Sequence, residues 1–244
     1  MSAFQDDLFA GQVAVVTGGT SGIGAGTARY LAEHGATVHA VGLAAAGVSF
    51  PDGLDVHVRE VDVTSRDDLT SLFADLPRLD VLVPAAGISL GDRELEHDSF
   101  TRVVGIQLDA VFATIALAHD LLAVRGGSIV TVASMYSYFG GGRRAAYSAA
   151  KGGIVQLTKS LAEAYAPEAI RVNAVAPGWI DTPLLAPLKA DLELGGRILS
   201  RTPLDRFGTT AEIGAAVAFL CSDAASFVTG AVLPVDGGYL VTGI

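Results

Sequence analysis

Short, nearly continuous apolar runs rich in Val and Ile alternate with longer segments of helical period along all 244 residues. The runs are Gln12–Thr17, Thr37–Leu43, Val56–Val63, Leu79–Pro84, Ser128–Ala133, Arg171–Ala176 and Val232–Val235. Helical segments fall between them at Ile23–His34, Arg66–Leu76, Phe100–Val124, Ala145–Ala166 and Glu212–Leu220. Strands apolar on both faces must be covered on both faces, and connecting helices do this only around a parallel sheet. The pattern predicts an α/β, doubly wound single domain spanning 1–244. Half of the residues are hydrophobic, enough for one large core.

Three Gly- or Pro-rich breaks interrupt the pattern, at Gly18–Gly24, at Tyr138–Arg144 and from Pro177 to about Thr202. Each follows a predicted strand, on the side where open parallel sheets bind ligands. The last is long for a compact domain, and its Pro and Gly content predicts a mobile lid over roughly 184–202. Gly18, Gly22 and Gly24, with Thr20, Ser21 and Ile23, link the first strand to the first helix. Glycines there let backbone N–H groups approach a pyrophosphate at the positive end of a helix. Their spacing, Gly-x-x-x-Gly-x-Gly, departs from the G-x-G-x-x-G fingerprint.

Tyr147 and Lys151 stand four residues apart in a helical segment and share a face. A fixed cation beside a phenol favours phenolate, which makes the pair suited to proton transfer. Ser134, thirteen residues upstream at the end of a strand, supplies a hydroxyl for the oxygen that gains or loses the proton. Taken alone, Tyr and Lys at this spacing are more often an ordinary helix-surface pair; the glycine loop and Ser134 favour chemistry.

Together, Thr17-Gly-Gly-Thr-Ser-Gly22-Ile-Gly24, Ser134, Tyr147-Ser-Ala-Ala-Lys151, Arg171-Val-Asn-Ala-Val-Ala-Pro-Gly178 and Val235-Asp-Gly-Gly238 resemble the motif series of the short-chain dehydrogenases/reductases, in order and over almost the whole chain. The resemblance implies a Rossmann fold, a nicotinamide cofactor, hydride transfer between a secondary alcohol and a ketone, and a homotetramer. It makes Tyr147 the general acid or base, Lys151 the ribose ligand that depresses the Tyr pKa, and Ser134 the holder of the substrate oxygen. It also places Asp62 and Val63 at the adenine. Ala85, Ala86 and Gly87 pass along the cofactor, and Pro177, Gly178, Ile180 and Thr182 lie at the nicotinamide.

The sequence departs from the family in three places. Pro84-Ala-Ala-Gly87 replaces Asn-Asn-Ala-Gly, so the side-chain amides that tie neighbouring strands are missing and some local rigidity should go with them. By the resemblance, Gln107 replaces the Asn that anchors a water in the proton relay behind Lys151; it is read either as a member of that relay, with its added methylene displacing the water, or as a polar residue satisfying local backbone. At the adenosine ribose, Gly42 and Leu43 stand where an acid or a cation would select the cofactor; with no cation for a 2′-phosphate the reading favours NAD, with NADP as the alternative.

Arg143 and Arg144 are placed either at the pocket mouth, drawing an anionic substrate, or in exposed loop salt bridges, and the second is favoured. Met135, Tyr136 and Tyr138 are expected to shape the substrate pocket. Two rival functions are 3-oxoacyl-thioester reduction, suggested by Pro203-Leu-Asp-Arg206-Phe-Gly208, and a cofactor-binding sensor or scaffold with little turnover. A formal net charge of −10 argues against nucleic acid, anionic membrane or an acidic carrier as partner. One cysteine and five scattered histidines supply no metal site. Met1–Asp7 is acidic where a signal peptide is basic, and no apolar run is of spanning length, so a cytoplasmic location is expected.

Overall fold

The computed structural model describes residues 4–242; Met1 to Ala3, part of the N-terminal reading, lie outside the described residues. Seven strands, β1 (Val13–Thr17), β2 (Thr37–Gly42), β3 (Val56–Glu60), β4 (Val81–Pro84), β5 (Ser128–Val132), β6 (Arg171–Pro177) and β7 (Val232–Val235), form one parallel sheet in the order β3-β2-β1-β4-β5-β6-β7. The order reverses between β1 and β4, which opens a crevice at their carboxyl ends.

The sheet separates two cores. On one face Leu69, Leu72, Ile115, Leu122 and Ile154 come from helices α2 (Arg66–Ala74), α4 (Ala110–Ala123) and α5 (Ala145–Tyr165). On the other, Ala28, Leu31, Ile213 and Val217 come from α1 (Gly22–Glu33) and α8 (Thr210–Cys221). Central strands β4 and β5 are buried throughout, whereas edge strands β3 and β7 are only partly covered, because each has a neighbour on one side alone.

The helix expected over Phe100–Val124 begins earlier and is not uniform. Between α3 (His97–Val104) and α4, residues Gly105–Asp109 form one π-helical turn. Such turns insert a residue and re-aim what they carry, and this one carries Gln107. The run His97–Ala123, of mean hydropathy 1.5, is also long and apolar enough to cross a membrane, contrary to the expectation that none is. One of its faces supplies Ile115, Ala118 and Leu122 to the core, while Phe112 on another is 46% exposed.

The stretch expected to be a mobile lid folds into two further helices, α6 (Ala186–Ala190) and α7 (Leu192–Ser200). The Asp191 carboxylate caps the second by accepting from the N–H groups of Glu193 and Leu194. That cap, and Ile198 buried beneath the helix, outweigh the cost of Gly195 and Gly196 in its interior.

Candidate active site

Two adjoining cavities lie over the carboxyl ends of β1, β4, β5 and β6. The larger, about 440 Å³, runs from Gly18–Gly24 past Leu43, Asp62 and Val63 to Ala85–Gly87, Gln107, Tyr147 and Lys151. A smaller one of about 120 Å³ is walled by Ser134, Met135, Tyr136, Trp179 and Leu185, with Pro177, Gly178 and Ile180 at its base. They meet at Ile23, Val132, Tyr147, Thr182 and Leu184. Every residue expected to bind cofactor or take part in catalysis lines one or both. Tyr138, expected beside Tyr136, is instead half exposed and outside both walls.

The long cavity fits a dinucleotide. Gly18 has a φ of +66°, and a Cβ there would stand 2.7 Å from Ala86 Cα, so only glycine lets the loop pass so close to the end of β4. The Thr17 carbonyl accepts from the Ala85 N–H at 3.1 Å, and the Thr17 hydroxyl from the Ala86 N–H at 3.3 Å. The extended cavity over the first helix N-terminus is the shape and polarity a pyrophosphate requires. Gly18→Ala is expected to weaken NADH binding at least ~10-fold and lower Tm by several degrees. Fluorescence titration and a thermal melt read both, and unchanged NADH affinity would dissociate the loop from the cofactor.

At the adenosine end, the Thr20 hydroxyl donates to the Leu43 carbonyl at 3.1 Å, and Leu43 itself is 60% exposed. Arg29 is held by Glu33 on the helix surface at 2.6 Å, and among the described residues Lys151 is the one Lys or Arg in the wall of the long cavity. One Asp62 carboxylate oxygen accepts from the Thr64 N–H and hydroxyl, at 2.9 and 2.7 Å, which fixes that side chain at the rim.

Ser134 lies just past β5 in extended conformation, capping a short 3₁₀ turn, and accepts from the Tyr136 N–H at 3.2 Å. Its own N–H donates to the Ser137 hydroxyl, which donates to the Lys151 carbonyl at 2.7 Å. Ser137 therefore couples the loop after β5 to α5 and holds Ser134 against the phenol; sequence reading passed over it. Lys151 is 6% exposed, and its Nζ donates to the Val132 carbonyl at 2.6 Å while standing 5.6 Å from the centre of the Tyr147 ring. Burial lowers the Lys151 pKa from 10.5 to about 7.

Desolvation raises the Tyr147 pKa above 10, against the pull of the Ser134 hydroxyl and the Arg144 guanidinium. The depression expected from Lys151 is thus not the main influence in this geometry. The ammonium is directed to Val132, and the phenol's lowering partners are Ser134 and Arg144.

Glu94 was not anticipated either. It is fully buried in a 3₁₀ turn at Gly91–Leu95 and accepts from the Ser89 hydroxyl at 2.8 Å, the Leu90 N–H at 3.0 Å and the Tyr147 N–H at 2.9 Å. A carboxylate on the first-turn N–H of α5 complements the helix dipole and fixes where Tyr147 begins. Nothing in Gly91-Asp-Arg-Glu94 signals this, since the pairing spans 53 residues of chain.

Gln107 is buried in the π turn, and its Nε2 donates to the Ile88 carbonyl at 2.5 Å. A Cβ on Gly87 would come within 2.7 Å of its Oε1. The amide is therefore committed to the loop after β4, where it restores a tie between helix and loop in a segment without the family's asparagines. Arg143 forms a two-pronged pair with Asp92, the loop salt bridge that was favoured, whereas Arg144 turns inward and lines the small cavity.

A phenol, a hydroxyl and a buried lysine where a dinucleotide cavity meets a small, mostly apolar pocket define a nicotinamide-dependent oxidoreductase of CH–OH groups. The comparisons agree. The family model described as Enoyl-(Acyl carrier protein) reductase matches residues 18–240, and the chain belongs to the short-chain dehydrogenase/reductase family. It is 44% identical over 251 residues to the cis-4-hydroxycyclohexanecarboxylate dehydrogenase of Sinomonas cyclohexanicum, covering 96% of this chain and 98% of that one. It is 35% identical to a 3-oxoacyl-acyl-carrier-protein reductase of Thermotoga maritima, over 95% of this chain and 98% of that one. Among solved structures, a candidate 2-deoxy-D-gluconate 3-dehydrogenase from Agrobacterium tumefaciens with bound NADP superposes with a TM-score of 0.91 at 35% identity, covering 98% of this chain and all of the other.

Proposed function

We propose that the protein oxidises a small cyclic secondary alcohol to its ketone, and runs the reverse reduction, with Tyr147 as proton-transfer group, Ser134 on the substrate oxygen and Lys151 at the nicotinamide ribose. One observation carries this: Tyr147 is shared by both cavities, so a single phenol faces the cofactor side and the substrate side at once. A nicotinamide held in the long cavity would supply hydride acceptance and donation at carbon. In oxidation the Tyr147 phenolate takes the alcohol proton, and in reduction the phenol returns it to the ketone oxygen. Ser134 donates to that oxygen and stabilises its developing charge. Pro177, Gly178, Ile180 and Thr182 close the nicotinamide end, with the Thr182 hydroxyl now donating to the Ile180 carbonyl at 3.3 Å.

The ring alcohol in the name of the Sinomonas relative supports this substrate class over a long acyl thioester, as does the small volume of the inner cavity. NAD is preferred over NADP in this reading, because no cation at the Leu43 end of the cavity would neutralise a 2′-phosphate. With a cyclic alcohol, kcat/KM is expected to favour NAD by about 10-fold; equal or better use of NADP overturns the preference without touching the chemistry. A soluble, cytoplasmic homotetramer fits the acidic charge and the exposed Phe112 flank of α4, and size-exclusion chromatography with light scattering tests the assembly.

A further inference from the structure

Among the described residues, one charged side chain lines the small cavity. Arg144 immediately precedes α5, three residues before Tyr147, and its guanidinium donates to the Ser89 hydroxyl. No Asp or Glu lines the cavity, and among the described residues no carboxylate pairs with Arg144. Asp92 forms its direct pair with Arg143 and reaches Arg144 only electrostatically, and Glu94 accepts from Ser89, Leu90 and Tyr147, so it meets Arg144 only through the Ser89 hydroxyl. The indole N–H of Trp179, in the same wall, is buried without an acceptor among the described residues. The remaining lining is mostly apolar or aromatic, including Met135, Tyr136, Ile180, Leu184 and Leu185.

A pocket with unused donors, one permanent cation and no anion is incomplete by itself. A guanidinium in a mostly apolar wall gains most from a carboxylate, which accepts its N–H groups in pairs. Arg144, the residue before the first turn of α5, and Tyr147, inside that turn, both line the small cavity, and the guanidinium is near enough to the phenol to act on it electrostatically. A small substrate with an oxygen at Tyr147 can therefore present an anion to Arg144 within the same cavity.

We propose that Arg144 binds a carboxylate of the substrate and makes the enzyme selective for cyclic hydroxy acids and their oxo acids, with Trp179 as the second donor on that side. This rests on the hydride-transfer reading above, which concerns the other end of the substrate.

The test compares kcat/KM for cis-4-hydroxycyclohexanecarboxylate with that for its carboxamide in the wild type, Arg144→Leu and Arg144→Lys. The ratio cancels any effect Arg144 has on Tyr147, because both alcohols use the same phenol. The wild type is expected to prefer the carboxylate on the order of 100-fold, the Leu variant to fall within about threefold of parity, and the Lys variant to lie between. A wild-type ratio near one, a ratio unchanged in Arg144→Leu, or better turnover of a neutral acyl thioester overturns the assignment. Calorimetric binding of cyclohexanecarboxylate and cyclohexanecarboxamide to the NADH-loaded protein gives a second readout, independent of turnover. The acid is expected to bind the wild type more tightly and to lose that advantage in Arg144→Leu, and equal binding overturns the proposal. Alcohol turnover without carboxylate preference defeats this inference alone. Arg144-dependent acid binding without turnover of any alcohol defeats the hydride-transfer reading alone.

Discussion

Tyr147→Phe is expected to lower kcat for alcohol oxidation by about 10³-fold while leaving NADH affinity within a factor of about two. The ring stays, so its edge contact with Tyr136, with ring centres 5.9 Å apart, is preserved and the fold should not change. Only the exchangeable proton goes, and no other side chain lining both cavities can replace it. Ile23, Val132 and Leu184 are apolar, and the Thr182 hydroxyl is spent on the Ile180 carbonyl. Because desolvation raises the phenol's pKa, wild-type oxidation should climb with pH into the alkaline range and reduction should fall across it. The Phe variant should lose that dependence. Stopped-flow hydride transfer across pH measures both, and residual activity within tenfold of wild type would assign the proton to another group.

Lys151→Met is expected to separate stability from turnover. Its ammonium is buried, and the folded pKa of about 7 lies well below the ordinary 10.5. A lysine whose folded pKa is depressed costs stability wherever it is charged in the unfolded chain. The cost is full below pH 7, shrinks as pH climbs toward 10.5, and is gone above it. Methionine keeps the stem and removes the charge, at the expense of the bond to the Val132 carbonyl, worth about 1 kcal/mol. The net gain should be on the order of 1–2 kcal/mol at pH 6, raising Tm by about 2–6 °C and vanishing near the alkaline end. Turnover should drop at least ~100-fold as the group proposed to hold the nicotinamide ribose is lost. Calorimetry at pH 6 and pH 10 decides the stability claim; a lower Tm at pH 6 would mean that the ammonium's bond outweighs its desolvation.

The chemistry was legible where it is local. Gly18 to Gly24 had to sit between a strand and a helix, and Tyr147 and Lys151 had to share a face, because both relations are fixed by backbone period. The seven strands were legible because parallel pairing buries both faces and leaves Val-rich runs. What was not legible depended on packing. Gln107 was identified as a departure, but its bond to Ile88 and its π turn arise from how the helix meets the loop after β4. Arg143 and Arg144 are adjacent and alike in sequence, and only packing sends one to Asp92 and the other into the pocket. The stretch expected to be a lid carries helix breakers, yet it forms two short helices, because the cap from Asp191 and the burial of Ile198 outweigh them.

By itself, then, the sequence determined the layered α/β fold, the dinucleotide loop and the Ser-Tyr-Lys set, because periodicity and short-range spacing encode them. Tertiary structure alone decided that Lys151 turns to Val132, that Glu94 anchors the start of α5 and that Arg144 is the one charged side chain among the described residues lining the small cavity. Those outcomes rest on desolvation and on hydrogen bonds between distant segments, and both exist only once the chain has closed around them.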